Sequence, residues 1–189
     1  MIVCAGNNET FSFASTIGVG LIESAMNLTR ICMFDKPDYI IFIGSAGSYG
    51  GYKPFDIVES SSAANLELSF LENNSYTPID NVLKCEDTKL QNDTIVNSSN
   101  YITTNATLGK EYLQYGIGIE NMEFYSIVKI AQEFEIDVKG IFVVTNYTNE
   151  KAHQDFISNH QEAMDKLIKH LEKKKLIVPH GTIKGKETL

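Results

Sequence analysis

The stretch YIIFIGSAGSYGG, residues 39–51, decides the fold, because a run of apolar residues gives way abruptly to small and polar ones. A continuous apolar run of this length is typical of a strand covered on both faces of a sheet. The small residues from Gly44 onward follow where a parallel strand opens into a cleft. We predict a buried strand over 39–43 with Ser45 as the polar group best placed in that cleft, although a turn-capping hydroxyl would fit Ser45 equally well.

The segment before this strand is predicted to be a helix from about Leu21 to Phe34, with an apolar stripe along one side. Gly18 and Gly20 precede it, where a strand passes into the helix. Backbone N–H groups at such a junction can hold an anion or a ribose, but tight packing of strand against helix also explains both glycines. The strand before this helix, the helix itself and the strand that follows form a strand-helix-strand unit.

Further elements alternate along the rest of the chain. A second apolar strand, 138–144, again ends in polar residues, Thr145 and Asn146. Helices are expected over 120–134 and from 153 to about 175, with His160 and His170 on the polar side of the latter, so that neither is assigned a catalytic role. Shorter strands are expected at 2–5, 11–14, 55–59, 66–70 and from 94, and residues 72–92 are expected to cross the surface. We predict one domain over 1–175 and a tail over 176–189.

Residues 118–123, GIENME, place Glu123 in the first turn of the predicted helix over 120–134. A carboxylate there is either a solvated residue favoured by the helix dipole or a group aimed into the cleft. Tyr101 stands in a polar loop after another predicted strand. It can stack on a planar ligand or simply cover core.

Composition excludes several classes of protein. The net charge of −8 argues against a nucleic-acid surface. The three cysteines are odd in number and lack metal-ligand spacing, so we expect neither zinc nor disulfides, and a reducing compartment. The sequence contains no apolar run of membrane-span length and no signal-peptide pattern, which predicts a cytoplasmic protein with no membrane partner.

Four segments at predicted strand ends, taken in order, resemble the nucleoside phosphorylase and nucleosidase family: Gly18–Gly20, Gly44–Gly47, Asn121–Glu123 and Thr145–Asn146. The resemblance implies an α/β fold, a three-layer α/β/α sandwich with a mixed, barrel-like central sheet. It implies cleavage of the N-glycosidic bond of a purine nucleoside by phosphate or water. It further implies a small-molecule nucleoside as ligand, no metal or other cofactor with phosphate as a possible co-substrate, and, by analogy, a homo-oligomer.

The resemblance also implies roles for individual residues. Glu123 matches the acid that accepts hydrogen bonds from the ribose hydroxyls, and Met122 matches the methionine that packs under the sugar. Ser45 matches the serine of the phosphate or water pocket, with Gly18 and Gly20 in the backbone loop beside it. All five positions are therefore candidate substrate-binding residues.

The resemblance implies that the purine base would contact a second group of residues. Tyr101 and Ile102 occupy the loop that supplies its stacking wall and backbone contacts. Asn146 stands where adenosine-type relatives carry an Asp that protonates purine N7. An amide cannot donate a full proton but can hydrogen-bond both N7 and O6, so Asn146 indicates a 6-oxopurine, as in trimeric purine nucleoside phosphorylases and futalosine hydrolases. Glu123 and Asn146 are thus the candidate catalytic residues.

The sequence departs from the family at the expected phosphate site. Phe42 stands where hexameric phosphorylases carry an Arg, and the only arginine, Arg30, lies inside a predicted helix. This favours water as the nucleophile. Glu9 is the nearest candidate for the acid that activates water in the hydrolases. Two alternatives stay open: a non-catalytic relative that binds a nucleoside or serves in assembly, and a flavodoxin-like mononucleotide site.

Overall fold

The computed structural model describes residues 1–85 and 94–178. The elements in chain order are β1 (Ile2–Cys4), β2 (Ser15–Thr16), α1 (Gly20–Phe34), β3 (Tyr39–Ser48), β4 (Ile57–Ser60), β5 (Ser62–Ala64), α2 (Leu68–Leu71), β6 (Val82–Lys84), β7 (Ile95–Asn97), α3 (Ala106–Gln114), β8 (Ile117–Glu120), α4 (Phe124–Glu133), β9 (Asp137–Tyr147) and α5 (Ala152–Lys173).

The strand that starts at Tyr39 is the centre of the sheet. β3 pairs in parallel with β1 on one side and with β9 on the other, and its last two residues pair antiparallel with β8. Its register with β9 shifts between Ala46 and Gly47, so the strand bends where it passes from one set of neighbours to the next. The sheet continues through β7, β5 and β6, and β4 lies outside β9. This mixed sheet confirms the predicted α/β architecture.

Helices cover both faces of the sheet, and alternation along the strands decides which residue meets which helix. Ile41 and Ile43 pack in one apolar cluster with Leu167 of α5. Phe42 lies in the other cluster with residues of α1 and α4, and its ring centroid is 6.1 Å from that of Phe124. Phe42 is completely buried there, so it fills the core rather than the cleft.

Two predicted strands were wrong, and one predicted helix starts later than expected. Residues 11–14 form a turn, in which Ala14 N–H donates to Phe11 O at 3.2 Å, and the short strand β2 comes after it. Residues 66–70 alternate like a strand, but Phe70 N–H donates to Glu67 O at 3.0 Å and the helix α2 forms instead. The strand β8 extends through Glu120, so the following helix starts later than predicted, at Phe124.

The predicted surface excursion and tail each extend beyond the described residues. Residues 86–93 and 179–189 lie outside the described residues, whereas Leu176 and Ile177 pack against the apolar cluster beneath α5. None of the helices in the described ranges combines the length and apolar composition needed to cross a lipid bilayer.

Candidate functional site

A cavity of about 310 Å³ lies beyond the carboxyl ends of β1, β3 and β9, within the size range of small-molecule sites. Its lining includes six of the eight predicted site residues: Ser45, Tyr101, Ile102, Met122, Glu123 and Asn146. The other two, Gly18 and Gly20, flank Val19, which does line it. Segments that are far apart in sequence therefore converge, because parallel strands end at the same edge of the sheet.

Glu123 is 3% exposed and lies immediately before α4. Its Oε1 accepts a hydrogen bond from Gly20 N–H at 2.8 Å, which links the start of α1 to the start of α4. Gly20 has φ +82°, and a Cβ there would lie 2.8 Å from Asn100 Oδ1, so only glycine fits this junction. Asn121 Oδ1 accepts from the N–H groups of Glu123 and Phe124, both at 3.0 Å, and so caps α4.

Burial dominates the ionisation of Glu123. Burial, with a smaller effect of the negative charge of Glu9, raises the pKa from an ordinary 4.5 to about 7, against the lowering effect of the Gly20 N–H. Near neutral pH the carboxyl group therefore exists in both protonation states. It can accept and donate hydrogen bonds.

Glu9 is 8% exposed, also lines the cavity and is held by Ser45. Both carboxylate oxygens lie 3.2 Å from Ser45 N, and Ser45 Oγ donates a short hydrogen bond to Oε1. A Cβ at position 44 would lie 2.8 Å from Glu9 Oε2, so Gly44 leaves the space that this carboxyl group occupies. Burial raises the pKa of Glu9, although the Ser45 hydrogen bonds lower it in part.

Glu120 is a third acidic residue in the lining. It accepts hydrogen bonds from Tyr49 Oη at 2.9 Å and Thr103 N–H at 3.0 Å, while burial raises its pKa. Because both oxygens have protein donors, Glu120 supports the loop that carries Tyr101 and Ile102.

Asn146 is 6% exposed, and its amide is oriented by its neighbours in the chain. Its Oδ1 accepts from Thr145 Oγ1 at 2.8 Å, and its Nδ2 donates to Tyr147 O at 3.1 Å. One N–H of the amide and one lone pair of its oxygen remain beyond these two bonds. Asn146 can therefore present a donor and an acceptor to a ligand.

Tyr101 and Ile102 lie at the mouth of the cavity and are 85% and 53% exposed. Neither covers core, which was the alternative reading of Tyr101. An exposed aromatic ring beside a cavity is suited to stacking on a flat ligand.

Sequence reasoning missed several residues of the site. Asn121 stands just before a helix, where Asn commonly caps, and this position gave a usable signal. The pairing of Glu9 with Ser45 and the supporting role of Glu120 had no local signal. The α5 residues in the lining were also missed, because their pattern is that of an ordinary amphipathic helix: Ala152, His153 and Phe156.

The cavity is acidic. Its described lining includes Glu9, Glu120 and Glu123 but no Lys or Arg. His153 is the one histidine among those residues. In residues 1–85 and 94–178, no group of three or more His, Cys, Asp or Glu side chains is placed to hold a metal ion. The arrangement can bind hydroxyl groups, polarise a water molecule and contact a flat heterocycle.

Comparisons with known proteins agree with this fold. The sequence model of the family described as the phosphorylase superfamily matches residues 2–173. No curated protein is significantly similar to the chain in sequence. Among solved structures, 5′-methylthioadenosine/S-adenosylhomocysteine nucleosidase from Helicobacter pylori superposes with a TM-score of 0.76 at 13% identity, covering 91% of this chain and 95% of that one.

Two further structures are similar. The corresponding nucleosidase from Neisseria meningitidis gives a TM-score of 0.74 at 15% identity over 92% of this chain and 97% of its own. A futalosine hydrolase mutant from Helicobacter pylori gives 0.65 at 14% identity over 84% and 80%. At these identities the likeness establishes the fold.

Proposed function

Because the chain belongs to the phosphorylase superfamily, as the resemblance of its four loop segments predicted, we propose that it cleaves the N-glycosidic bond of a purine nucleoside. One observation carries the proposal. Two buried carboxyl groups, Glu9 and Glu123, flank a nucleoside-sized cavity at the carboxyl edge of the sheet. Such a pair can hold a sugar on one side and the nucleophile on the other.

Glu123 is proposed to bind the ribose hydroxyls, with Met122 packed under the sugar. A pKa of about 7 suits this role, since the group can accept from one hydroxyl in its ionised form. As the bond to the base breaks, positive charge develops on the sugar ring. A nearby carboxylate stabilises that oxocarbenium-like transition state.

Water is the proposed nucleophile, with phosphate as the alternative co-substrate. An acidic lining that contains no Lys or Arg among its described residues would repel phosphate. Glu9, fixed by Ser45, is the proposed base that takes a proton from the water. The loop of Gly18 and Gly20 borders the same region, and the reaction needs no metal or other cofactor.

A 6-oxopurine is the proposed base. The nucleosidases compared above are named for adenine nucleosides, but Asn146 offers a donor and an acceptor that match N7 and O6. Tyr101 and Ile102 would form the wall for the ring. Asn146 would stabilise the negative charge that develops on the leaving base.

The decisive experiment measures release of free base from inosine, guanosine and adenosine, with and without phosphate. We expect inosine or guanosine to be cleaved without phosphate and Glu123→Ala to abolish cleavage. Glu133→Ala, at the other end of α4 and exposed, is the matched control. Wild-type turnover by Glu123→Ala would remove Glu123 from the mechanism.

The second candidate function is a non-catalytic relative that binds a nucleoside or acts in assembly. One observation favours it: Glu123 and Asn146 already have partners within the protein, Gly20 for the first and Thr145 and Tyr147 for the second. Tight binding of a nucleoside without release of base from the whole panel would select this function.

We also propose a cytoplasmic homo-oligomer assembled through α1. The outer face of α1 exposes four large apolar side chains, 55–79% accessible: Ile22, Met26, Met33 and Phe34. Glu23 and Arg30 lie on the same outer side, so two antiparallel copies of the helix would pair each Glu23 with the other copy's Arg30. We expect sedimentation velocity to give a dimer for the wild type and for Leu113→Glu, and a monomer for Met26→Glu.

A further inference from the structure

His160 lies on α5 one turn beyond Phe156. Phe156 lines the cavity, and the two rings pack edge to face with centroids 5.1 Å apart. The sequence pattern predicted an outward, polar position for His160, but its Nε2 is buried and has no hydrogen-bond partner in the described part of the chain. Ala163 and Leu167, three and seven residues further on, are fully buried, so His160 belongs to the sheet-facing stripe.

Glu9 lies on the same side of the sheet. Ile41 and Ile43 of β3 pack in the cluster with Leu167, and side chains two residues apart share a face, so Ser45 also faces α5. The hydrogen bonds from Ser45 to Glu9 therefore place the carboxyl group between β3 and the first half of α5. His160 also lies in the first half of α5, on its sheet-facing stripe.

The described residues give Glu9 little other compensation. Its hydrogen bonds come from Ser45, and no Lys or Arg in the described ranges forms an ion pair with it. Burial raises the pKa of Glu9, and attraction to His160 acts against this effect. Among the described residues, Cys4 on β1 and Glu123 beside α4 also interact electrostatically with Glu9.

We propose that His160 is a positioning residue that acts through Glu9, keeping this buried carboxyl group ionised so that it can take a proton from the attacking water. The inference rests on the proposed hydrolysis. In that step an O–H bond of water breaks and its proton moves to Glu9, while the water oxygen bonds to the anomeric carbon. The electron pair of the N-glycosidic bond leaves with the base, which takes up a proton from solvent. His160 touches none of the reacting atoms.

The first test requires no turnover. Titration of Glu9 by 13C NMR, with the resonance assigned by its loss in Glu9→Gln, gives the midpoint of its ionisation. We expect His160→Gln to move this midpoint upward by roughly one pH unit, the size of effect that a nearby opposite charge produces. His160→Asn is the second variant, and circular dichroism verifies folding of both.

His170→Gln is the matched control, because it removes a histidine from the same helix at the site where the ring bonds to Glu59, 3.0 Å away. It should leave the Glu9 midpoint unchanged. A midpoint that is the same in the wild type and in the folded His160 variants overturns the proposal.

The second test is the pH dependence of kcat/KM. If Glu9 must be ionised, its acidic limb should move upward in His160→Gln by the same amount as the NMR midpoint, but not in His170→Gln. A shifted midpoint with no turnover by the wild type would retain the coupling and refute the proposed enzyme. A shifted midpoint with an unshifted limb in an active enzyme would overturn the role of His160 in the reaction.

Discussion

The two ends of α5, roughly 33 Å apart by helical rise over its 22 residues, place partly or fully buried carboxylates in opposite electrostatic settings. At the N-terminal end, Glu9 and Glu123 line the cavity, and neither forms an ion pair with Lys or Arg among the described residues. At the C-terminal end, Glu59 is surrounded by three basic side chains at N–O distances of 3.7, 3.0 and 2.9 Å: Lys139, His170 and Lys174.

The ionisation of these groups follows from the settings. Burial raises the pKa of Glu123 to about 7 and also raises that of Glu9. Burial acts in the same direction on Glu59, but hydrogen bonds from Lys174 and His170, together with the charge of Lys139, outweigh it and lower the pKa. A carboxylate paired with basic side chains stabilises the fold, whereas buried carboxylates in a cavity without a Lys or Arg partner are typical of sites that act on a ligand.

The largest effect is expected from Glu9→Gln. If the reaction takes place at the N-terminal end of α5, loss of Glu9 as the general base should lower kcat about 10²- to 10⁴-fold. Glu59→Gln, at the compensated end, should leave kcat within about twofold of the wild type. Steady-state hydrolysis of inosine measures both. Equal losses in the two variants would abolish the functional contrast between the two ends.

Asn146→Asp adds another acidic side chain to the cavity and tests whether position 146 selects the purine base. A protonated Asp can donate a proton to N7, which the amide cannot, so preference should move from inosine toward adenosine by roughly 10- to 100-fold in the ratio of kcat/KM values. Competition assays with both nucleosides measure this ratio. An unchanged ratio would show that position 146 does not select the base.

Glu123→Gln should stabilise the fold at alkaline pH. A carboxyl group whose pKa is raised from 4.5 to about 7 contributes fully below pH 4.5 and loses that contribution as pH rises through 7. An amide has no such loss. Relative to the wild type, we expect the free energy of unfolding of Glu123→Gln in urea to be roughly 1–3 kcal/mol more favourable to the folded state at pH 8 than at pH 4.5. If the stability of Glu123→Gln depends on pH as that of the wild type does, the pKa of Glu123 is not raised by folding.

Glu59→Gln should have an effect on stability that is opposite in sign to that of Glu123→Gln and the smallest of those predicted here. Because the pKa of Glu59 is lowered, its contribution is present above the unfolded value of about 4.5 and is lost as pH falls through the folded one. Partial exposure of the cluster limits the loss in the variant to about 1 kcal/mol at pH 7. The variant should also lose less stability than the wild type on acidification below pH 4.5.

Local pattern predicted much of this molecule. The apolar runs at 39–43 and 138–144 are the central strands β3 and β9, and α1 begins one residue before its predicted start. Both strands run further than predicted, and their last residues include Ser45 and Asn146, which line the cavity. These predictions succeeded because burial on both sides of a strand and the apolar stripe of a helix leave periodic traces in sequence.

The same reasoning failed where neighbours distant in sequence decided the outcome. Residues 66–70 alternate as a strand would, yet form a helical turn that packs Leu71 into a cluster with Tyr112. His160 looked polar and outward, but its ring nitrogen is buried behind Phe156. Periodicity assigns a face to a residue; it does not say what covers that face.

By itself, the sequence determined the family, the order of the central elements and the segments that end at one edge of the sheet. The tertiary structure alone decided that Glu9 binds Ser45, 36 residues away, and that Glu123 binds Gly20, 103 residues away. The reason is physical: strand and helix patterns act over a few residues, whereas the ionisation of a buried acid depends on every donor, charge and water molecule that folding brings to it or removes.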